Sequence, residues 1–537
     1  MPILSDHSLL QLDDEYLRTL ERTALCDLSV RLLADLKEAR ERLKQNPSNS
    51  SRPPSSRAPW ERVPGKAEDD PDGEAHEDLP PAADEKRPDP KADRGEAPPA
   101  AAPAEGAPAG AEKKGPAKRR PGKQPGAPGK GRTQVLRADA AEHHRPDRCA
   151  GCGRRLSPDA PRQVYTAFST VDLQWGDPEQ PGLHLRVTEH RYEEVCCPCG
   201  HHTRAAPART EGDPAEGKIP LSEWRLVGPG LAALIVALNM RFRMSRARIR
   251  EFLWEWLGLQ LSVGTLHQTL REAAAAAAPA EPELIKAVQT SGLLHGDETS
   301  WLEQAAGGLR WLWVLIGAQV VYYAVADRGK ETLLRVLAGF EGWLMSDGWC
   351  AYRYYPQRLR CWAHLIRKAK GLMDSCRADA RAFGRQVHDT LERLMAAVYA
   401  AREGPPGSVA PDLSAAHASL VDALHQACRR HLSHPHAKTQ ALAVEFCNDW
   451  EAIFQVLKQP HLPLTNNEAE RALRHWVISR RLSYGTRTAA GSRDFALLAS
   501  VIDTCRLRGH SPWRYIATGI ADRRAGRPLA ALPGVGI

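Results

Sequence analysis

The sequence lacks an apolar run long enough to cross a membrane. Its apolar stretch from Leu231 to Leu238 is far shorter than the roughly 20 residues that a spanning helix needs. The region after Met1 has no basic stretch followed by an apolar core, so we expect no secretory signal peptide. These absences argue against a membrane protein and favour a cytoplasmic one.

A disulfide framework is also not indicated. The 12 cysteines are scattered through a chain of 537 residues without a secretion signal, which favours reduced thiols and one metal cluster. A chain of this length exceeds a single domain, and 42% hydrophobic residues predict that most of it folds. The net charge of +8 mildly favours a polyanionic partner.

Glycine and proline are absent from Asp13 to Gln45, which predicts a helix within an N-terminal segment 1–46. One stripe of this helix is apolar and contains Leu25, Leu32, Leu36, Ala39 and Leu43. Such a stripe is typical of a short coiled coil, and equally of an amphipathic helix packed on its own domain.

Apolar residues are scarce in the following segment, 47–140, and above all from Gly65 to Leu136. So little apolar surface cannot offset the entropy of ordering, and we predict a disordered linker rich in Pro, Ala and charge. Its basic end includes Lys118, Arg119 and Arg120, which could bind DNA phosphates without reading sequence. A merely solvated linker explains the same charges.

Segment 141–205 contains paired cysteines in Gly-containing turns, a pattern that predicts a zinc site. The expected ligands are Cys149, Cys152, Cys196 and Cys199. Cys197 could compete with Cys196, and His201 or His202 could replace a thiolate. A strand-like stretch from Arg162 to Val187 separates the two knuckles. Reduced structural cysteines are the alternative.

Segment 219–285 has helical periodicity and a basic cluster formed by Arg241, Arg243, Arg246, Arg248 and Arg250. A Ser or Thr cap in the stretch Leu259 to Leu270, after this basic helix, is typical of a DNA-binding helix-turn-helix. An ordinary helical hairpin fits as well. The run Ala273 to Ala280 is expected to link this region to the next domain.

Segment 290–510 begins with three predicted β-strands, Leu293 to Trp301, Leu309 to Ile316 and Val320 to Ala326. A helix from Glu331 to Phe340 and a fourth strand from Gly342 to Met345 follow. This order predicts a ribonuclease-H-like unit within a multidomain α+β protein. Helical periodicity at 374–457 predicts an insertion, and 511–537 is expected to be a C-terminal tail.

Three acids are placed to hold two divalent cations. Asp297 lies on the first strand and Asp347 at the end of the fourth, which would make them neighbours on central strands. Glu298 should face the opposite side of the sheet. On a later helix, Thr465 and Glu468 match a capping box, which leaves Glu470 in the second turn as the third acid. A turn, a strand-end cap or an ion pair is the ordinary role of each acid alone.

Arg471 and Arg474 follow Glu470 and could clamp DNA phosphates, although an intrahelical Glu–Arg pair is as consistent with the spacing.

Several motifs together resemble the large transposase of the insertion sequence 66 family, and they span nearly the whole chain in family order. The matching stretches are Asp35 to Leu43, Pro53 to Ser56, Gly122 to Gly126, the two cysteine knuckles, Asp297 to Thr299, Ser346 to Gly348, Cys361 to His364 and Thr465 to Arg471. The resemblance implies a DDE catalytic domain whose triad maps onto Asp297, Asp347 and Glu470. It also implies a helical insertion before the third acid, a zinc-binding segment and an N-terminal part for DNA binding or multimerisation.

Cys361 and His364 resemble a C-x-x-H motif that follows the second Asp in several DDE groups. A buried Cys and His on a helix is the alternative reading of this pair.

The resemblance further implies in-line attack at phosphorus assisted by two Mg²⁺ or Mn²⁺ ions, with no covalent protein–DNA intermediate. The implied partners are the DNA ends of an insertion element, target DNA, further copies of the chain and small accessory proteins of the same element. The implied location is the bacterial nucleoid. A related nuclease that cuts without joining, or a DNA-binding protein with a relic triad, are the alternatives.

Overall fold

The computed structural model of the protein describes residues 17, 19–43, 134–176, 179, 181–205, 226–306, 308–403 and 410–534. Helix α1 (Arg22–Leu43) confirms the helix predicted near the N-terminus. Its Leu25 and Leu36 side chains are exposed, and the coiled coil stays a prediction. Nearly all of the predicted linker, with Lys118, Arg119 and Arg120, lies outside the described residues. None of the described helices is both long and apolar enough to cross a membrane.

A small sheet contains the cysteine knuckles. It is formed by β1 (Ala140–His144), β2 (Arg162–Trp175), β3 (Leu183–Cys196) and β4 (His202–Arg204). β3 pairs with β1 in parallel and with β2 and β4 in antiparallel orientation. The strand-like stretch expected from Arg162 to Val187 is confirmed over Arg162–Trp175 and from Leu183 onward, but it forms two antiparallel strands. Pro181 and Gly182 lie directly before the second of them.

From residue 226 to the start of the larger sheet, the structure describes four α-helices: α2 (Pro229–Met240), α3 (Arg246–Leu257), α4 (Val263–Ala277) and α5 (Glu281–Gln289). The Ser262 hydroxyl accepts the Thr265 amide at the start of α4, which confirms the predicted cap. Gly258, with φ of +61°, ends α3 and lets the chain turn. The DNA-binding role of this helix pair stays a prediction.

The alanine run expected as a link is instead the end of α4 and a following 3₁₀ turn, Ala278–Ala280. Ala273 and Ala274 are 1% exposed. Alanine has the highest helix propensity, and its small side chain lets neighbouring elements pack closely.

The larger sheet contains β5 (Leu293–Glu303), β6 (Gly308–Gly317), β7 (Val320–Ala326), β8 (Trp343–Ser346) and β9 (Arg358–Arg360). The strand order is β7-β6-β5-β8-β9; β5, β6 and β7 are antiparallel, whereas β8 is parallel to both β5 and β9. Helix α6 (Lys330–Val336) connects β7 to β8. The four predicted strands are confirmed, and the sequence did not indicate β9.

Five helices follow β9 and enclose a second hydrophobic core. They are α7 (Trp362–Met373), α8 (Ala378–Arg402), α9 (Ala418–Arg430), α10 (Ala437–Asn448) and α11 (Trp450–Lys458). Leu391, Leu424 and Phe446 are fully buried in this core. Helical structure over 374–457 was expected, but the helices that share the core begin earlier, at Trp362.

Three last helices return to the larger sheet: α12 (Asn467–Ser483), α13 (Ala489–Leu507) and α14 (Pro512–Arg524). The hydroxyls of Ser500 and Thr504 on α13 accept the amides of Tyr323 and Val321, so α13 covers the edge strand β7. The prediction of a tail at 511–537 is wrong for the residues of α14. Ile520 on this helix is fully buried in the hydrophobic core that includes the larger sheet.

Candidate active site

Two of the three predicted acids lie at the same level of adjacent strands. In the parallel pair of β5 and β8, His295 is in register with Met345. Asp297 and Asp347 each come two residues later, so alternation directs both side chains to the same face of the sheet. Asp347 accepts the amide of Trp349 at 2.8 Å, which fixes its carboxylate at the end of β8.

The third acid, Glu470, joins them from the first turn of α12. Burial and the negative charge of Asp347 raise the pKa of Asp297 well above its usual value, and Glu470 adds to this effect. Burial also raises the pKa of Glu470, which the Arg367 cation opposes and Asp347 reinforces. The structure thus brings Asp297, Asp347 and Glu470 within electrostatic reach of one another.

Glu298 has protein partners of its own. Its side chain is 1% exposed and accepts from the Arg328 guanidinium at 2.8 Å and the Tyr352 hydroxyl at 2.7 Å. Burial, with Asp347 contributing, raises the pKa of Glu298 to about 7. Because these contacts occupy both of its oxygens, Asp297 is the better candidate for a metal ligand.

The capping box predicted at the start of α12 is wrong. Asn466, not Thr465, is the N-cap residue, and its side chain makes no capping bond. Glu468 instead accepts from Arg471 on the surface at 3.3 Å. Glu470 consequently lies in the first turn and not in the second.

Asn466 is a positioning residue that sequence reasoning missed. It is fully buried, and its Nδ2 donates to the carbonyl of Gly296 at 2.8 Å, while its Oδ1 lies 3.3 Å from Nδ1 of His295. Its own carbonyl accepts the amide of Glu470 at 3.2 Å. One asparagine therefore connects the strand that carries Asp297 to the helix turn that carries Glu470. Its place directly before the acidic helix was the available signal.

Cys361 and His364 also lie beside the third acid. Cys361 precedes α7, is fully buried and accepts the amide of Asn466 at 3.3 Å. His364 Nε2 is 3.8 Å from Glu470 Oε1. Burial raises the pKa of the Cys361 thiol and lowers that of His364 to about 4, so the imidazole is neutral near pH 7.

The two cysteine knuckles form one cluster of four cysteines. It contains three of the expected ligands, and Cys197 takes the place of Cys196. The cluster contains Cys149, Cys152, Cys197 and Cys199. Cys196 is the last residue of β3 and pairs with His202, whereas Cys197 begins the turn that closes at Gly200. Adjacent residues at a strand end point in different directions, which directs Cys197 into the cluster.

Sulfur separations in this cluster match those of a tetrahedral zinc site. Cys149 lies 3.7 Å from Cys199, and Cys152 lies 3.7 Å from Cys197. Four sulfurs at about 2.3 Å from zinc are about 3.8 Å apart. The backbone amide of Cys152 lowers the pKa of the Cys149 thiol to about 6. Although the backbone amide of Cys199 lowers the pKa of Cys197, burial and the neighbouring sulfurs raise it overall to about 12, so the metal-free cluster favours a thiolate at Cys149 and a thiol at Cys197.

The predicted phosphate-binding arginines, Arg471 and Arg474, are exposed on α12 near the acids. Their contact with DNA stays a prediction.

Comparison with known proteins identifies the family. Residues 225–494, half of the 537 residues, match the model described as Transposase IS66 family. The chain belongs to the IS66 transposase family. The matched range of this IS66-family chain contains the three acids, Asn466, Cys361 and His364, whereas the four-cysteine cluster lies before it.

The IS66-family chain is also similar to curated proteins of Sinorhizobium fredii (strain NBRC 101917 / NGR234). Uncharacterized protein y4qI is 25% identical over 277 residues, which cover 46% of this chain and 51% of the relative. Uncharacterized protein y4hP is 26% identical over 345 residues, which cover 57% of this chain and 61% of the relative. The chain thus spans about half to three fifths of the length of these relatives.

Proposed function

We propose that the protein is a DDE transposase that binds the ends of an insertion sequence and catalyses metal-dependent DNA cleavage and strand transfer. The observation that carries this proposal is that Asp297, Asp347 and Glu470 lie close enough to interact: besides burial, the negative charge of Asp347 raises the pKa values of Asp297 and Glu470. Two of these acids lie at one level of adjacent parallel strands, and the third comes from a helix tied to the first strand through Asn466.

The order of elements supports a ribonuclease-H-like catalytic domain. Three antiparallel strands are followed by a helix and two parallel strands, and the first strand lies at the centre of the sheet. The helices of the second core interrupt the chain between Asp347 and Glu470. We propose boundaries of about 290–510 for this domain, with the insertion beginning at Trp362.

The three carboxylates fit divalent cations. Their oxygens are the hard donors that Mg²⁺ and Mn²⁺ prefer. Burial and mutual repulsion raise the pKa values of Asp297 and Glu470, and bound cations would offset that repulsion. Within the described residues, the buried Oε1 of Glu470 has no hydrogen-bond partner. Asp297, Asp347 and Glu470 would hold two such ions, which would neutralise charge at the scissile phosphate and lower the pKa of the attacking water or hydroxyl.

The residues of this chain hold and align the reacting groups. Asp297, Asp347 and Glu470 provide the fixed negative charge, and Asn466 sets the position of Glu470 relative to β5. Arg471 and Arg474 contact DNA phosphates. Water attacks the phosphorus in line, which leaves a 5′-phosphate and a 3′-hydroxyl. This hydroxyl then attacks a phosphodiester of target DNA, forms a new ester bond there, and the displaced 3′-oxygen leaves as a hydroxyl. No covalent enzyme–DNA bond forms at any stage.

We further propose that Cys149, Cys152, Cys197 and Cys199 bind a structural zinc ion, because four sulfurs at tetrahedral separations close the coordination shell. Assembly of several copies on the two DNA ends, with small accessory proteins, belongs to the same proposal.

Cleavage of labelled element-end DNA in magnesium tests the function. We expect cleaved and joined products from the wild type and from the exposed control Asp389→Asn, and none from Asp347→Asn. Nicks without joining in the presence of the accessory proteins would favour a nuclease. Equal cutting by Asp347→Asn would refute the assigned triad, and binding of the ends without cutting would favour a non-catalytic DNA-binding protein.

A further inference from the structure

A thiol, an imidazole and a carboxylate converge beside the candidate active site. Cys361 precedes α7, His364 lies in its first turn, and Glu470 comes from the first turn of α12. One ligand atom of each residue lies within 4.8 Å of the others. Cys361 is the N-cap residue of α7, so its side chain lies at the same end of the helix as that of His364, facing Glu470.

The polar atoms of this cluster have few protein partners. Within the described residues, the buried His364 Nδ1 and Glu470 Oε1 have no hydrogen-bond partner. The separation of 3.8 Å between His364 Nε2 and Glu470 Oε1 is too long for a direct hydrogen bond. A buried polar atom without a partner is destabilising, and a cation between the two groups would give the carboxylate oxygen a partner.

The donor set selects the class of ion. A thiolate and an imidazole are ligands of zinc and its neighbours, whereas Mg²⁺ takes oxygen ligands only. Three protein ligands leave one position of a tetrahedral ion open, unlike the closed four-cysteine cluster. The backbone amide of Asn466 donates to Cys361 Sγ at 3.3 Å, and this hydrogen bond holds the sulfur in place.

We propose that Cys361, His364 and Glu470 form a second transition-metal site, which binds zinc or a similar ion. Because Glu470 belongs to this site and to the magnesium site, the two ions compete for one carboxylate. Zinc therefore inhibits the magnesium-dependent reaction. The competition rests on the proposed function of Glu470, whereas the metal site itself does not.

Cobalt binding to the full chain tests the site without DNA. Cobalt replaces zinc and gives a thiolate-to-cobalt absorption band, and elemental analysis counts the bound ions. We expect each of Cys361→Ala and His364→Ala to bind one cobalt ion fewer than the wild type. The matched control Cys428→Ala, at a fully buried cysteine in the second hydrophobic core, should bind as many ions as the wild type.

Thermal melting verifies that each variant is folded, and His364→Ala decides the matter if Cys361→Ala does not fold. A folded His364→Ala that binds as many cobalt ions as the wild type would overturn the site. Excess magnesium should weaken binding of the cobalt ion that His364→Ala loses but not binding at the four-cysteine cluster, and an unchanged affinity for the lost ion would overturn the sharing of Glu470. Loss of one ion in His364→Ala, in a protein that never cleaves DNA, would leave the site standing and refute the proposed function instead.

Discussion

Replacing Asn466 with alanine should destabilise the domain built on the larger sheet. The amide of Asn466 is fully buried, donates to the Gly296 carbonyl at 2.8 Å and lies 3.3 Å from His295 Nδ1. The substitution leaves both partners buried without these contacts, and each such group costs about 1–3 kcal/mol. Two groups together predict a loss of about 2–6 kcal/mol in the free energy of unfolding.

Denaturant unfolding followed by tryptophan fluorescence measures this loss, since Trp301 and Trp476 are buried in the same core. Asn467→Ala is the matched control: this neighbour is exposed, and its substitution should change the free energy of unfolding by no more than about 0.5 kcal/mol. If Asn466→Ala also changed it by less than about 1 kcal/mol, the two buried contacts would not carry the stability that we assign to them.

The same substitution should lower catalysis more than DNA binding. Gly296 directly precedes Asp297, and the carbonyl of Asn466 accepts the amide of Glu470. Loss of the amide loosens the two acids relative to each other, and misplacement by about 1 Å can cost about 100-fold in rate. The cleavage rate under saturating DNA should therefore fall in Asn466→Ala while the Kd for element ends stays near that of Asn467→Ala. A larger effect on Kd than on rate would contradict the positioning role.

Three further predictions follow from the charged and thiol groups. Because the pKa of Asp297 is raised, its carboxylate is more protonated at low pH, so the half-saturating Mg²⁺ concentration for cleavage should fall as pH rises; a pH-independent value would contradict this. Cys197→Ser should lower the zinc content measured by elemental analysis, and Cys196→Ser should not, because only Cys197 joins the sulfur cluster. Asp449→Ala should reduce the free energy of unfolding by about 3–5 kcal/mol in denaturant titrations. Asp449 is 1% exposed, and its removal leaves the arginines that it pairs with buried without a counter-charge. A near-neutral change would show that these arginines find other partners.

Much of the larger sheet could be predicted because its strands are apolar and bounded by turns. The strand β7 was predicted with its observed bounds, Val320–Ala326, since Val and Tyr fill it and Gly317 and Asp327 flank it. The short strand β9 escaped prediction, because a strand of three residues has no measurable periodicity. The helix α14 was missed because its sequence reads as basic and polar, although Ile516 and Ile520 are buried.

Local sequence rules failed where a long-range contact competed with them. The spacing of Thr465 and Glu468 predicted a capping box. In the structure the helix begins one residue later, with Asn466 as its N-cap residue, and the Asn466 side chain donates to the buried carbonyl of Gly296. Likewise, Cys196 and Cys197 are both plausible ligands from spacing alone. The strand end at Cys196 decides between them, because the register of β3 with β4 sets the direction of each sulfur.

The sequence by itself indicated four strands of the larger sheet, the family and the three candidate acids, because these depend on composition, periodicity and short motifs. Only the tertiary structure decided which cysteine completes the sulfur cluster, that Asn466 joins β5 to α12, and that Cys361 and His364 meet Glu470. These contacts join residues more than 100 positions apart or depend on strand register. The fold brings these distant segments together, so local sequence patterns do not predict the distances between them.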